Sequence, residues 1–464
     1  MRRELTAPWL AAQRVLVALG VGALLAGLLP LLVPPAMAAN QVERVVSPQG
    51  IEAWLIEDHT NPLISVTIGF PSGSASDPAG KGGLARLAAG LLDEGAGDMD
   101  SAAFQARLDE LGIELGFDAD WDSLTGGMRL LTRDRDEAFR LLGLALTAPR
   151  FDAEALTRVK AQMLSAIAGD ADDPETAAWQ AWLRLALGNH PYARPVKGTP
   201  ASIAAITAAD LKAYVAQHLA RDQIHIGVVG DIAPASLAPL LDRAFASLPA
   251  KAVPIDVPAA HFATPGGLAV VKRDLEQSVV FFGEAGTARK DPDYYAAVLL
   301  DDIMGGGNLT SRLEESLRER RGLVYSVGTY NQSFDHGTIL GGSLATKNAT
   351  AGEAIQLVRQ EWQRMHDDGP TATELADAKT HVIGQFPLRF TSTYGAARTL
   401  LAIQLDGQPI DYVDRRAGLY QQVSLEDAKR VARKLYDAAA LRFLLLGNPP
   451  AGVSATLPSP PPGE

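Results

Sequence analysis

Residues 206–231 read ITAADLKAYVAQHLARDQIHIGVVGD, and residues 423–448 read VSLEDAKRVARKLYDAAALRFLLLGN. The two stretches align without a gap at an offset of 217, 423 against 206. Thr207 and Ser424 stand where a helix N-cap belongs, with Asp210 and Asp427 at the third helical position, close to a capping box. Each helical run gives way to an apolar strand, 224–229 or 441–446, that stops at Gly230 or Gly447. One helix–strand unit is common, but a second pair in near register is not. Residues 104–111 form a helical run stopped by Gly112 and followed by a strand at 113–117; residues 314–321 are stopped by Gly322 and followed by 323–330, an offset of 210. The sequence therefore predicts an α+β chain of two homologous halves, 42–250 and 266–450, joined by a linker at 251–265. The proline-rich end, 451–464, is expected to be disordered.

Composition narrows the setting. Arg2, Arg3 and Arg14 precede an apolar stretch at 15–33 and then Pro34-Pro35-Ala36-Met37-Ala38. Positive end, apolar middle and small-x-small ending are the parts of a secretory signal, with cleavage expected after Ala38 and a periplasmic or otherwise extracytoplasmic destination. An uncleaved anchor is the rival reading, since 15–33 is nearly long enough to span a bilayer; Pro30, Gly20, Gly22 and Gly27 weigh against it. The chain has no cysteine, which excludes disulfides and thiolate metal sites. Removing residues 1–38 takes away Arg2, Arg3, Arg14 and Glu4, so 42 basic and 54 acidic residues become 39 and 53, a net charge of −14. Such a surface argues against nucleic acid and anionic membranes as partners.

Three segments resemble one family, the pitrilysin and mitochondrial-processing-peptidase group of zinc peptidases. The first is Asn189-His190-Pro191-Tyr192 through Gly198-Thr199, followed by the capped helix at Thr207. The second runs from Gly305-Gly306-Gly307 and Ser311-Arg312-Leu313 to Leu317-Arg318 and Gly322-Leu323-Val324-Tyr325. The third is Gly73-Ser74 with Gly83-Leu84-Ala85. The resemblance implies a clam-like pair of lobes, each an antiparallel sheet flanked by helices. It also implies a zinc motif, H-x-x-E-H, on a helix after Gly83-Leu84-Ala85, with the glutamate as general base.

Here the sequence departs from the family. The motif positions read Arg86-Leu87-Ala88-Ala89-Gly90, so arginine, alanine and glycine replace histidine, glutamate and histidine. The third ligand, a glutamate on a downstream helix, corresponds to Ser165 or Ala166. Of the eight histidines (His59, His190, His218, His225, His261, His336, His366 and His381) no two lie three to five residues apart, so none pairs on one helix turn. His190 reads as a turn residue. No metal or other cofactor is expected in this chain; zinc is expected in a partner subunit.

The resemblance assigns a role to Arg318 and Tyr325: an arginine and a tyrosine seven residues apart that face the zinc helix of the other lobe or subunit. A phenol and a guanidinium there can donate to a substrate carbonyl and its developing oxyanion, the arginine never as a base. The plainer reading is a solvated helix face of i,i+4 ion pairs followed by an ordinary strand residue. Gly305-Gly306-Gly307 lacks the Gly-Lys-Ser/Thr of a phosphate loop and suits close backbone approach. Gly341 and Gly342, within an expected strand at 337–345, suggest an open edge for an extended peptide substrate. Two functions follow. The first is a non-catalytic subunit of an exported two-chain zinc peptidase, in a heterodimer with a homologous chain that carries H-x-x-E-H. The second is an inactive peptide-binding or scaffold protein of the same fold.

Overall fold

The computed structural model of the chain describes residues 41–307 and 310–460, so the export signal read at 1–38 lies outside the described residues. From Glu43 onward the chain forms one compact unit. Strands β1 (Glu43–Val46), β2 (Glu52–Glu57), β3 (Leu63–Phe70), β4 (Glu114–Ala119), β5 (Leu124–Leu131) and β6 (His225–Gly230) make a sheet ordered β1-β2-β6-β3-β5-β4. Strands β7 (Gly267–Lys272), β8 (Gln277–Glu284), β9 (Val324–Phe334), β10 (Gly337–Lys347) and β11 (Arg442–Gly447) make a second, ordered β7-β11-β8-β10-β9. Without β1 the two orders coincide position by position. Both sheets are antiparallel except for one pair at the same place, β2 with β6 and β7 with β11.

The local signals behave as the sequence predicts. Thr207 with Asp210, and Ser424 with Asp427, form complete capping boxes ahead of helices Ala208–His218 and Leu425–Leu435. Gly112 and Gly322 both adopt positive φ, 61° and 60°, at the stop before β4 and β9. A further pair was not read from the sequence. Lys160 Nζ donates to the carbonyls of Ala204 and Ile206, and Lys379 Nζ to those of Gln421 and Val423, each tying a long helix to the residue ahead of the capped one.

Each half also lends a helix to the other's sheet. Helix Pro174–Leu187 lies on β8 and β11, where the Trp182 indole donates to Arg442 O at 2.9 Å and the Arg442 guanidinium donates back to Leu185 O at 2.8 Å. Helix Thr393–Leu405 lies on β3 and β6, where Thr67 Oγ1 donates to Ala397 O at 2.8 Å and Gln404 Nε2 to Ile226 O at 3.0 Å. The linker at 251–265 is laid across both halves, bonding from Val253 N to Gln217 O and from Ala260 N to His336 O.

The disorder expected for 451–464 does not begin at 451. Thr456 N and Leu457 N donate to Leu268 O, and Thr456 Oγ1 accepts from Leu268 N. β7 is an outer strand whose backbone groups need partners, and this segment supplies them.

Candidate functional site

Helix Leu84–Ala89 is where the family's zinc motif would lie. Asp77 holds its start from six residues upstream, accepting from the backbone N–H of Gly83 at 2.7 Å, Leu84 at 3.1 Å and Ala85 at 3.0 Å. Burial pushes the Asp77 carboxyl up to about 7, and those three donors only partly offset it. Arg86 leaves this helix to pair with Asp118 on β4, and its Nη1 also donates to Ala119 O at 3.4 Å. Ala89 is fully buried. A Cβ on Gly90 would stand 3.5 Å from Val159 on helix Ala153–Asp172. Ala166 lies seven residues beyond Val159 on that helix, about 10 Å along its axis, with its side chain exposed.

These residues do not fit a zinc ion. Arg86, Ala89, Gly90 and Ala166 offer no ligand atom, and the one charged group is a cation already paired with a carboxylate. Among the described residues no group of three or more His, Asp or Glu is placed to hold a metal. His190 caps its own turn, with Nδ1 accepting from Tyr192 N at 3.1 Å and Nε2 2.8 Å from Pro258 O.

In the second half, residues Glu314–Glu319 wind as one wide π-type turn, a rare geometry often found at functional positions. Glu314, at its start, is buried; its carboxylate accepts from Arg318 Nη1 at 3.2 Å and from Val327 N at 3.2 Å. Arg318 is thereby fixed at the helix–strand corner with its Cζ 5.9 Å from the Tyr325 ring. Tyr325 itself is 89% exposed. The structure thus brings Arg318 and Tyr325 together, and all the ion pairs that Arg318 makes among the described residues are to Glu314 and Glu319.

The open edge expected at Gly341 and Gly342 is not there. β10 is an inner strand: Gly341 pairs with Gly283 of β8 and Tyr330 of β9, and Gly342 with Phe282 and Thr329. Glycine is required because a Cβ at 342 would strike Gly328 O and the Phe282 ring, and one at 341 would stand 2.6 Å from Phe282 O. The outer strand is β9, whose outward N–H groups are covered in turn. Val327 N donates to Glu314, Thr329 N to Gly305 O at 3.0 Å, and Asn331 N to the Asp301 carboxyl. The close approach expected of the Gly305 loop is this contact with Thr329.

β4 holds the matching outer place in the first sheet. Among the described residues, the backbone of β4 from Glu114 to Asp118 bonds only to β5. A cleft of about 930 Å³ lies beside it. One wall is β4 and β5, with Gly116 opposite Gly127 and an ion pair between Glu114 and Arg129. The other is helix Thr393–Leu405, which contributes Tyr394, Arg398 and Leu405. Arg129 Cζ lies 5.3 Å from the Tyr394 ring, and Gly127 leaves room for the Tyr394 hydroxyl. The walls of this cleft come from segments far apart in the chain, 114–131 and 393–405, so no local pattern reveals it; Gly127, whose missing side chain makes room for Tyr394, is the one local trace of it.

Comparison with known proteins agrees with the residue pattern. Residues 205–382 match the family model described as "Peptidase M16 inactive domain". The chain is 27% identical over 394 residues to a Helicobacter pylori protein named non-peptidase homolog YmxG, covering 84% of this chain and 90% of that one. It is 24% identical over 401 residues to an uncharacterized zinc protease of Streptomyces coelicolor, covering 84% and 86%. Its fold is similar to the crystal structure of a peptidase M16 inactive domain from Pseudomonas fluorescens, with a TM-score of 0.82 and 26% identity over 90% of this chain and 100% of that one.

Proposed function

We propose that this chain, a member of the M16 peptidase family, is the non-catalytic subunit of an exported two-chain zinc peptidase. It binds extended peptide and presents Arg318 and Tyr325 to the metal site of a homologous partner that carries H-x-x-E-H. The observation that carries this reading is the corner itself. A phenol 89% exposed stands beside a guanidinium held by a buried glutamate, in a chain whose own motif positions have lost their ligands. Tyr325 has its hydroxyl free to donate to a carbonyl oxygen as charge develops on it, and Arg318 can anchor the same peptide. Because the signal at 1–38 addresses the chain for export, its partner is an exported protein too.

The test is reconstitution. The mature chain purified alone should contain no zinc and cut no peptide; mixed with an exported M16 chain bearing the intact motif, it should copurify with it and raise its turnover. Absence of both association and stimulation would discard the two-chain reading. The cleft beside β4 favours one alternative, a peptide-binding scaffold without chemistry. That alternative requires peptide binding that survives in every mixture without hydrolysis and is indifferent to changes at Arg318.

A further inference from the structure

Helix Thr393–Leu405 meets the first sheet at a row of small residues. Thr67 Oγ1 donates to Ala397 O at 2.8 Å; Thr67 pairs with Gly127 on β5, and Gly127 pairs with Gly116 on the outer strand β4. Residues paired across neighbouring strands project to the same face of a sheet, so this row runs from beneath Ala397 out to the open edge. Over Gly127 stands the Tyr394 hydroxyl, which a Cβ there would strike, whereas a Cβ at Gly116 would meet nothing within 4 Å. Arg398, next to Ala397 and one turn beyond Tyr394, lines the same cleft and is exposed. Among the described residues its guanidinium makes no hydrogen bond or ion pair, and the Tyr394 hydroxyl makes no hydrogen bond.

The two acids of β4 that flank this opening are already paired, Glu114 with Arg129 and Asp118 with Arg86. Asp120, just beyond the strand, accepts from the backbone N–H groups of Asp122 and Ser123. Arg398 is left as a cation without a counter-ion, four residues from a free phenol on the same helix face, and such a pair suits a carboxylate. A strand added to the β4 edge lies about 4.8 Å beyond it, and its residue opposite Gly116 projects to the face on which helix Thr393–Leu405 lies. Gly116 is midway between Glu114 and Asp118, so a strand paired along the whole free edge places a side chain there and not its end. The next positions on that face, two residues to either side, stand opposite Glu114 and Asp118, where an acid is repelled and a lysine is favoured.

We propose that the β4 cleft selects extended peptides in which a glutamate has a basic residue two positions away on each side, the glutamate carboxylate being held by Arg398 and the Tyr394 hydroxyl. This rests on the peptide binding proposed above and goes beyond it in naming the class of sequence bound. The mature chain alone is titrated with Ala-Lys-Ala-Glu-Ala-Lys-Ala, with the same peptide carrying glutamine for glutamate, and with Ala-Glu-Ala-Lys-Ala-Glu-Ala. All three are N-acetylated and C-amidated, so side chains carry their only carboxylates, and binding is followed by calorimetry and by the ligand-induced rise in Tm. The first peptide should bind about fivefold more tightly than either of the others. Net charge alone predicts the opposite order for the first two, because the acidic chain attracts the more basic glutamine peptide. Arg398→Gln should abolish the preference and Tyr394→Phe should reduce it; Arg398 is exposed, so its variant should fold, which circular dichroism checks. The proposal is overturned if the glutamine peptide binds the wild type as well as the glutamate peptide, or if Arg398→Gln keeps the preference; either result leaves the peptide-binding reading standing. Absence of saturable binding by all three up to about 10 mM would overturn the proposal and peptide binding at this edge together.

Discussion

β4 and β9 occupy the same place in their two sheets, the outer position beyond β5 and β10. On β9 the outward donors are met one after another by Glu314, Gly305 and Asp301, while β4 from Glu114 to Asp118 keeps its outer side bare against a cleft of about 930 Å³. An exposed sheet edge invites pairing, and a protein leaves one open where pairing is useful. The two halves therefore treat the same edge differently. The first half keeps an edge that can accept a strand, and the second uses the same space to fix a corner, since the glutamate that covers Val327 N also holds Arg318.

The exchange of helices is what lets the halves diverge without separating, and breaking it should have the largest effect. Trp182 is fully buried on the second half's sheet, so Trp182→Ala should lower stability by about 3–5 kcal/mol. Leu401, its counterpart in the helix lent the other way, should cost about 2–4 kcal/mol as Leu401→Ala. Both are read from denaturant unfolding, and loss of one half's signal without the other would refute mutual dependence. At the edges, an extended alanine–lysine peptide should bind the cleft, and N-methylation of its backbone should weaken it about tenfold or more, as fluorescence anisotropy would record. Equal binding of the methylated peptide would mean that β4 is not the acceptor.

The helices that open the two corresponding regions differ in how their acids are held, and pH should separate them. Burial raises Asp77 to about 7, only partly offset by its three backbone donors and by the Arg194 guanidinium, which donates to Asp77 O at 3.2 Å. A carboxyl whose folded pKa lies above its unfolded value near about 4 stabilises the fold most below that value and loses the contribution as pH rises through about 7. Asp293, at the start of helix Tyr294–Met304, is held below its ordinary value by Arg430 and Lys434, each 2.8 Å away, against the effect of burial. Its contribution is present above about pH 4 and lost on acidification. In a Tm series from about pH 3 to 8, Asp77→Asn should flatten the change on the neutral side and Asp293→Asn the change on the acid side. The same flattening from both variants would contradict the contrast. The smallest effect is expected at Arg86. Arg86 is half-buried, but its partner Asp118 is exposed, so Arg86→Ala should cost only about 1 kcal/mol, measured by the same unfolding titration.

What the sequence makes legible is local. Capping pairs at Thr207 and Ser424, and the stops at Gly112 and Gly322, depend only on residues within one turn, so the duplication and its α+β character could be read directly. Gly341 and Gly342 were misread as an edge because inner and outer strands carry the same glycines for different reasons; only the strand order reveals that Phe282 needs their space. The loss of ligands at Arg86, Ala89 and Gly90 was readable as identity, but the pair that Arg86 makes with Asp118 was not, since it depends on where β4 runs. The cleft and the helix exchange joined residues too far apart in the chain for any spacing rule.

The central claim rests on Tyr325, whose exposure means that removing its hydroxyl should leave the fold untouched. The decisive measurement is kcat for peptide hydrolysis by the reconstituted pair with Tyr325→Phe in this chain, at matched zinc content and complex stoichiometry. The account expects a fall of about tenfold or more with unchanged Tm, as for loss of an oxyanion donor; full turnover in the variant pair would contradict it.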